Sequence, residues 1–110
     1  MGRMGRYPHV SVRRGSWRSE QGFQGSVVAC AEQCGWLVLH TQASFYAAGF
    51  PDLLLMRGTR IIFAELKMAG YCTSPAQDAW LARLQAHGET YLWYDADMPE
   101  IRQILAKEEG

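Results

Sequence analysis

Asp52, Glu65 and Lys67 have the types and spacing for chemistry on a phosphate. Strand periodicity is two, so Glu65 and Lys67 share one face while Ala64 and Leu66 point to the other. A strand as apolar as Ile61 to Leu66 should not carry an acid beside a base without a reason, because burying charge is costly. Asp52 follows Pro51 and begins the neighbouring strand of a hairpin. Two carboxylates and an ammonium therefore converge at one end of a small sheet. Oxygen ligands of this kind suit Mg²⁺, which takes one or two carboxylates and keeps waters or a substrate phosphate. Such a metal polarises the phosphate and activates a water, and Lys67 would orient that nucleophile or stabilise developing charge. The plainer alternative is a solvated edge pair. By chance, Pro-Asp followed within ~15 residues by Glu-x-Lys arises in roughly one or two chains per hundred of this length. Placement on adjacent strands raises the motif above that background.

The elements that must position these residues read as a single αβββαβα unit. Ser19 can cap a first helix with Glu20 in its first turn, and Phe23, Val27, Ala31 and Cys34 form its apolar face before Gly35. Trp36 to Thr41 reads as a short buried strand, and Gln42 to Gly49 as a loop. Asp52 to Met56 and Arg60 to Lys67 flank Arg57-Gly58-Thr59 as a hairpin. Ser74-Pro75-Ala76-Gln77 is a helix start, with Ser as cap, Pro at the first helical position and Gln three residues after the cap. Trp80, Leu81 and Leu84 give that helix its apolar side, and Gly88 is expected to stop it. Thr90 to Tyr94 is aromatic and β-favouring. Asp97-Met98-Pro99-Glu100 repeats the capping logic for a terminal helix buried through Ile101, Ile104 and Leu105.

At 110 residues and 48% hydrophobic content the chain is one domain able to bury a core without disulfides. No apolar run approaches the about 18 residues of a membrane span, and no signal-peptide pattern opens the chain. The three cysteines, Cys30, Cys34 and Cys72, form no Cys-x-x-Cys pair and read as reduced thiols of a cytoplasmic protein. Eleven basic residues balance eleven acidic ones, but unevenly. Residues 1–18 hold Arg3, Arg6, Arg13, Arg14 and Arg18 and no acid, a basic arm that suggests a polyanion partner or else a solvated tail. Residues 88–110 hold six acids against two bases.

The stretches Gly49-Phe50-Pro51-Asp52, Ala64-Glu65-Leu66-Lys67 and Ser74-Pro75-Ala76-Gln77, with Ser19-Glu20 and Gln24 ahead of them, resemble the VRR-NUC family of the PD-(D/E)xK nuclease superfamily. The resemblance runs over about Ser19 to Leu105. It implies an α/β fold, a restriction-endonuclease-like αβββαβ core with a C-terminal helix, over residues 19–110 behind the arm of residues 1–18. It further implies a metal-dependent DNA endonuclease with Asp52, Glu65, Lys67 and Gln77 in catalytic roles. Glu20, Asp52, Glu65 and the Leu66 carbonyl would be ligands to Mg²⁺, with Mn²⁺ as a substitute. Small stand-alone members of the family look like homodimeric, junction-selective phage enzymes, so branched or Holliday-junction DNA and a role in DNA repair are the corresponding expectations. The competing reading is a DNA-binding module of the same fold with little catalysis.

Other residues carry lesser expectations. Arg13, Arg14 and Arg18 are the candidate DNA contacts of the arm, and Trp17 could stack on a base. Glu20 could instead serve the helix dipole, and Gln77 could simply close a capping box. His40 is expected to be a satisfied structural histidine rather than a general base, and Cys30 and Cys34 core thiols. Arg57 and Arg60 flank a turn, either solvated or touching phosphate. Trp80, Tyr91, Trp93, Tyr94, Phe45 and Tyr46 exceed what so small a core easily encloses, which points to a two-fold homodimer.

Overall fold

The computed structural model describes residues 19–41 and 47–108. The expectations for the arm, including Arg13, Arg14, Arg18 and Trp17, and those for Phe45 and Tyr46, lie outside the described residues. Elsewhere the element order is the expected one. Helix α1 (Glu20–Gln33) leads to strand β1 (Leu37–His40). Strands β2 (Leu53–Arg57) and β3 (Arg60–Lys67) follow, then helix α2 (Pro75–Leu84), strand β4 (Glu89–Tyr94), a 3-10 turn (Asp95–Asp97) and helix α3 (Met98–Ala106). The strands form one mixed sheet in the order β1-β2-β3-β4, antiparallel except for the parallel β3–β4 pair. This is a mixed α/β fold with three helices around a four-stranded sheet.

Alternation along the strands divides the side chains between two layers. Leu53, Leu55, Ile62, Ala64, Leu66, Tyr91 and Trp93 face one way, into a core closed by Phe23, Val27 and Ala31 of α1 and Met98, Ile101 and Leu105 of α3. On the other face Leu92 and Tyr94 pack against Leu81 of α2. Glu65 and Lys67 project on the α2 side, as the two-residue period requires.

Several expectations change once neighbours are present. Strand β1 is not buried: it is the sheet edge, and Leu37 and Leu39 are 60% and 46% exposed. The aromatic surplus is not a surface either. Tyr91, Trp93 and Tyr94 lie inside the single chain, and Trp80 is half-buried with its ring 5.0 Å from that of Phe50. Arg57 and Arg60 are half-buried and engaged within the chain. Both guanidinium groups lie over the Trp36 ring, at 4.7 and 4.8 Å from its centroid. Arg57 donates to the carbonyls of Cys34 and Leu105 at 2.8 and 2.9 Å, which closes the C-terminal ends of α1 and α3. Arg60 donates to Lys107 O at 2.8 Å and forks onto Glu89 at 2.7 Å through both nitrogens. That fork and the Tyr91 hydroxyl outweigh partial burial and hold the Glu89 carboxyl below its ordinary range.

The acidic C-terminal segment is likewise partly internal. Asp95 is buried and accepts from Ala69 N at 3.0 Å. Asp97 stands at the cap position of α3, but its Oδ2 accepts from Tyr94 N at 2.8 Å and so closes the 3-10 turn instead of the helix. Gly88 does not stop α2, which ends at Leu84. A Cβ at Gly88 would lie 2.5 Å from Ile61 Cγ2, so close packing against β3 dictates this glycine. Cys30 and Cys34 are half-buried against the α1 side of the core, and Cys72 is exposed.

Candidate active site

Asp52 sits on the last turn before β2 and is fixed from three directions. Its carbonyl accepts from Thr41 N at 3.0 Å, and its Oδ2 accepts from Leu66 N at 2.9 Å. The residues ahead of it wedge against α2. Phe50 meets Trp80 and Phe63 edge-on, with centroids 5.0 and 6.2 Å apart. Gly49 has φ +88°, and a Cβ there would come 2.7 Å from the main-chain carbon of Ala76. Only glycine allows this turn to lie so close to the first turn of α2.

Glu65 is buried, 2% exposed, at the centre of the site. Its Oε2 accepts from Gln77 Nε2 at 2.9 Å and lies 3.7 Å from Lys67 Nζ. Gln77 is held in turn: its Oε1 accepts from Ser74 N at 2.8 Å, and Gln77 N donates to Ser74 Oγ at 3.2 Å. The capping box orients the Gln77 amide so that its N–H reaches Glu65. One side chain thus both closes the capping box and contacts Glu65.

No N–H or O–H donor reaches the other oxygen, Glu65 Oε1, although it is buried. The Asp52 carboxyl lies near that of Glu65, and each bears on the other's charge. Burial and the neighbouring Asp52 push the Glu65 carboxyl up to about 8, against the pull of Lys67. Burial also raises Asp52; the Leu66 N–H works against that rise and the Glu20 charge adds to it. Two carboxylates against one ammonium leave this pocket short of positive charge. A proton or a bound cation supplies it.

Glu20 lines a groove between α1 and β1 that ends at Asp52, and its charge bears on both Asp52 and Glu65. Among the described residues, no three His, Cys, Asp or Glu side chains are gathered closely enough to hold a metal ion. A Mg²⁺ held here would thus rest on the Asp52 and Glu65 pair and fill its remaining positions with main chain, water or phosphate, which suits that ion. His40 lies at the end of β1 with a side-chain partner. It is exposed, lines the same groove, and its Nδ1 lies 3.3 Å from Gln24 Nε2. The Leu66 N–H on Asp52 leaves no trace in side-chain types and could not be read from sequence.

Scanned against models of known protein families, the chain matches none, and a search of curated proteins finds no match.

Proposed function

We propose that this chain is a Mg²⁺-dependent DNA endonuclease with a PD-(D/E)xK-type core, in which Asp52, Glu65 and Lys67 carry the chemistry. The observation that carries the reading is the buried Glu65 beside Asp52, with one oxygen unpartnered and one ammonium 3.7 Å from the other. A purely structural buried acid is normally paired on both oxygens. The order of elements and the motif resemblance support the same reading.

On this reading Asp52 and Glu65 would hold the metal, with the Leu66 carbonyl as a further donor that the resemblance implies; Glu20, the other donor it implies, is not gathered with them closely enough to complete a set of three. When bound, Mg²⁺ supplies Lewis-acid polarisation of the phosphate and a more acidic water. The protein's own groups do the rest. The Leu66 N–H and Gln77 hold the two carboxylates in fixed orientations, which removes reorganisation from the reaction. Lys67, partly exposed beside Glu65, stabilises negative charge as it develops on the phosphate or positions the attacking water. The test is incubation of the purified chain with end-labelled single-stranded, nicked, flapped and four-way-junction DNA, with and without Mg²⁺. Metal-dependent cleavage of at least one substrate is expected. Binding without cleavage under every metal condition would support the non-catalytic DNA-binding module instead.

A further inference from the structure

Seven residues after Lys67, Ser74 caps α2, so the intervening segment spans two groups that both touch Glu65: the Lys67 ammonium and the Gln77 amide. This segment is tied down at both ends. Ala69 N donates to the buried Asp95, and the hydroxyl of the fully buried Tyr94 donates to Tyr71 O at 2.5 Å. Between them, Tyr71 N donates to Met68 O at 3.1 Å across a tight turn whose third residue, Gly70, has φ +91°. Yet the Tyr71 side chain is 67% exposed, more than any other large hydrophobic side chain among the described residues. The buried Tyr94 hydroxyl thus holds the main chain of a residue whose side chain is mostly exposed, and the buried Asp95 holds Ala69 two residues before it. Tyr71 lies four residues from Lys67 and three from Ser74, so its Cα is within about 14 Å of the first and about 11 Å of the second. An aromatic face on a rigid turn beside a phosphate-cleaving site suits an unpaired base, since every base has a stacking face.

Resting on the nuclease reading, we propose that Tyr71 is a stacking platform for an unpaired nucleobase flanking the scissile phosphate. The preferred substrate is then DNA with single-stranded character at the cut, such as a frayed branch or tail, rather than continuous duplex. The groove lined by His40 is a weaker candidate for the nucleic-acid path, because it also carries Glu20, Glu32 and Asp52.

The test uses the full chain with Asp52→Asn to suppress cleavage, and tailed duplexes carrying 2-aminopurine at successive positions across the junction. A change in 2-aminopurine emission confined to one or two positions is expected. Tyr71→Ala should abolish it and weaken binding of tailed DNA about fivefold or more. Tyr71→Phe and Tyr71→Trp should preserve both. Affinity for continuous duplex, the salt slope and the melting temperature should stay unchanged, because stacking releases no counterions and the ring buries no core. Equal binding by Tyr71→Ala, an equal loss on duplex and tailed DNA, or no binding of any DNA by the full chain would overturn the inference. Tyr71-dependent binding together with absent cleavage by the unsubstituted chain would remove the nuclease reading alone.

Discussion

At Glu65 the conflict between burial and charge is sharpest. Its carboxyl is held up to about 8 by burial and by Asp52, well above the ordinary 4.5. The folded chain therefore binds this proton more tightly than the unfolded chain does. Without metal, the contribution of Glu65 to stability is fully present below the ordinary carboxylate range and is lost as pH rises through it towards 8. Thermal melts of metal-free protein between about pH 5 and pH 9 should show that decline, and Glu65→Gln should flatten it while keeping the contact with Gln77. A decline that persists in Glu65→Gln would place the titrating group elsewhere. The Glu65 and Lys67 pairing on one face was legible in the sequence because it needs only a two-residue period. The convergence of Asp52 on the same end was legible from the hairpin; how closely it approaches Glu65 was not, because that depends on the sheet register and on how the chain closes around both groups.

Among the elements, the first turn of α2 and the turn before β2 form one unit, joined where Gly49 meets Ala76 and Phe50 meets Trp80. Gly49→Ala forces a Cβ to 2.7 Å from main chain at a backbone angle of φ +88°. It should cost about 1–3 kcal/mol in urea unfolding and move Asp52 away from the Gln77–Glu65 pair. A variant as stable and as active as the parent would show that the close approach is dispensable. The helix starts at Ser19 and Ser74 and the hairpin around Gly58 were readable because capping and turn chemistry are local. Most of what failed was decided by neighbours that side-chain types alone do not name. An apolar run such as Trp36 to Thr41 does not say whether a strand lies at a sheet edge. The arginines flanking the hairpin turn do not reveal that the C-terminal ends of two helices will claim them. Asp97 looked like a helix cap, yet the Tyr94 N–H directly upstream claims the same oxygen.

Across the whole molecule, charge and surface set two expectations. All eleven acids fall in residues 19–110, against the six basic residues left there, a formal −5. On the proposed function, nucleic-acid affinity is then expected to come largely from the five arginines of residues 1–18. Deleting that arm should weaken duplex binding and flatten the salt slope by about 0.9 for each lost phosphate contact. An unchanged slope would make the arm a spectator. On the sheet, Leu37 and Leu39 of the edge strand continue into Leu54, Met56 and Ile61 on the half of the face away from the Leu81 contact with β4. Sedimentation equilibrium at micromolar concentration should report a two-fold dimer, and Leu37→Lys with Leu39→Lys should return it to the 12.4 kDa chain. A monomer at every concentration would remove the homodimer and with it the symmetric cutting of a four-way junction.

If Asp52, Glu65 and Lys67 perform metal-dependent cleavage as proposed, single-turnover rates on one labelled DNA will separate the parent chain from Glu65→Gln across a Mg²⁺ titration. The parental rate should rise and saturate with Mg²⁺, and the variant should lose about a thousandfold or more, with DNA affinity little changed. Cleavage by Glu65→Gln at close to the parental rate, or parental cleavage indifferent to Mg²⁺ removal, would contradict the proposal.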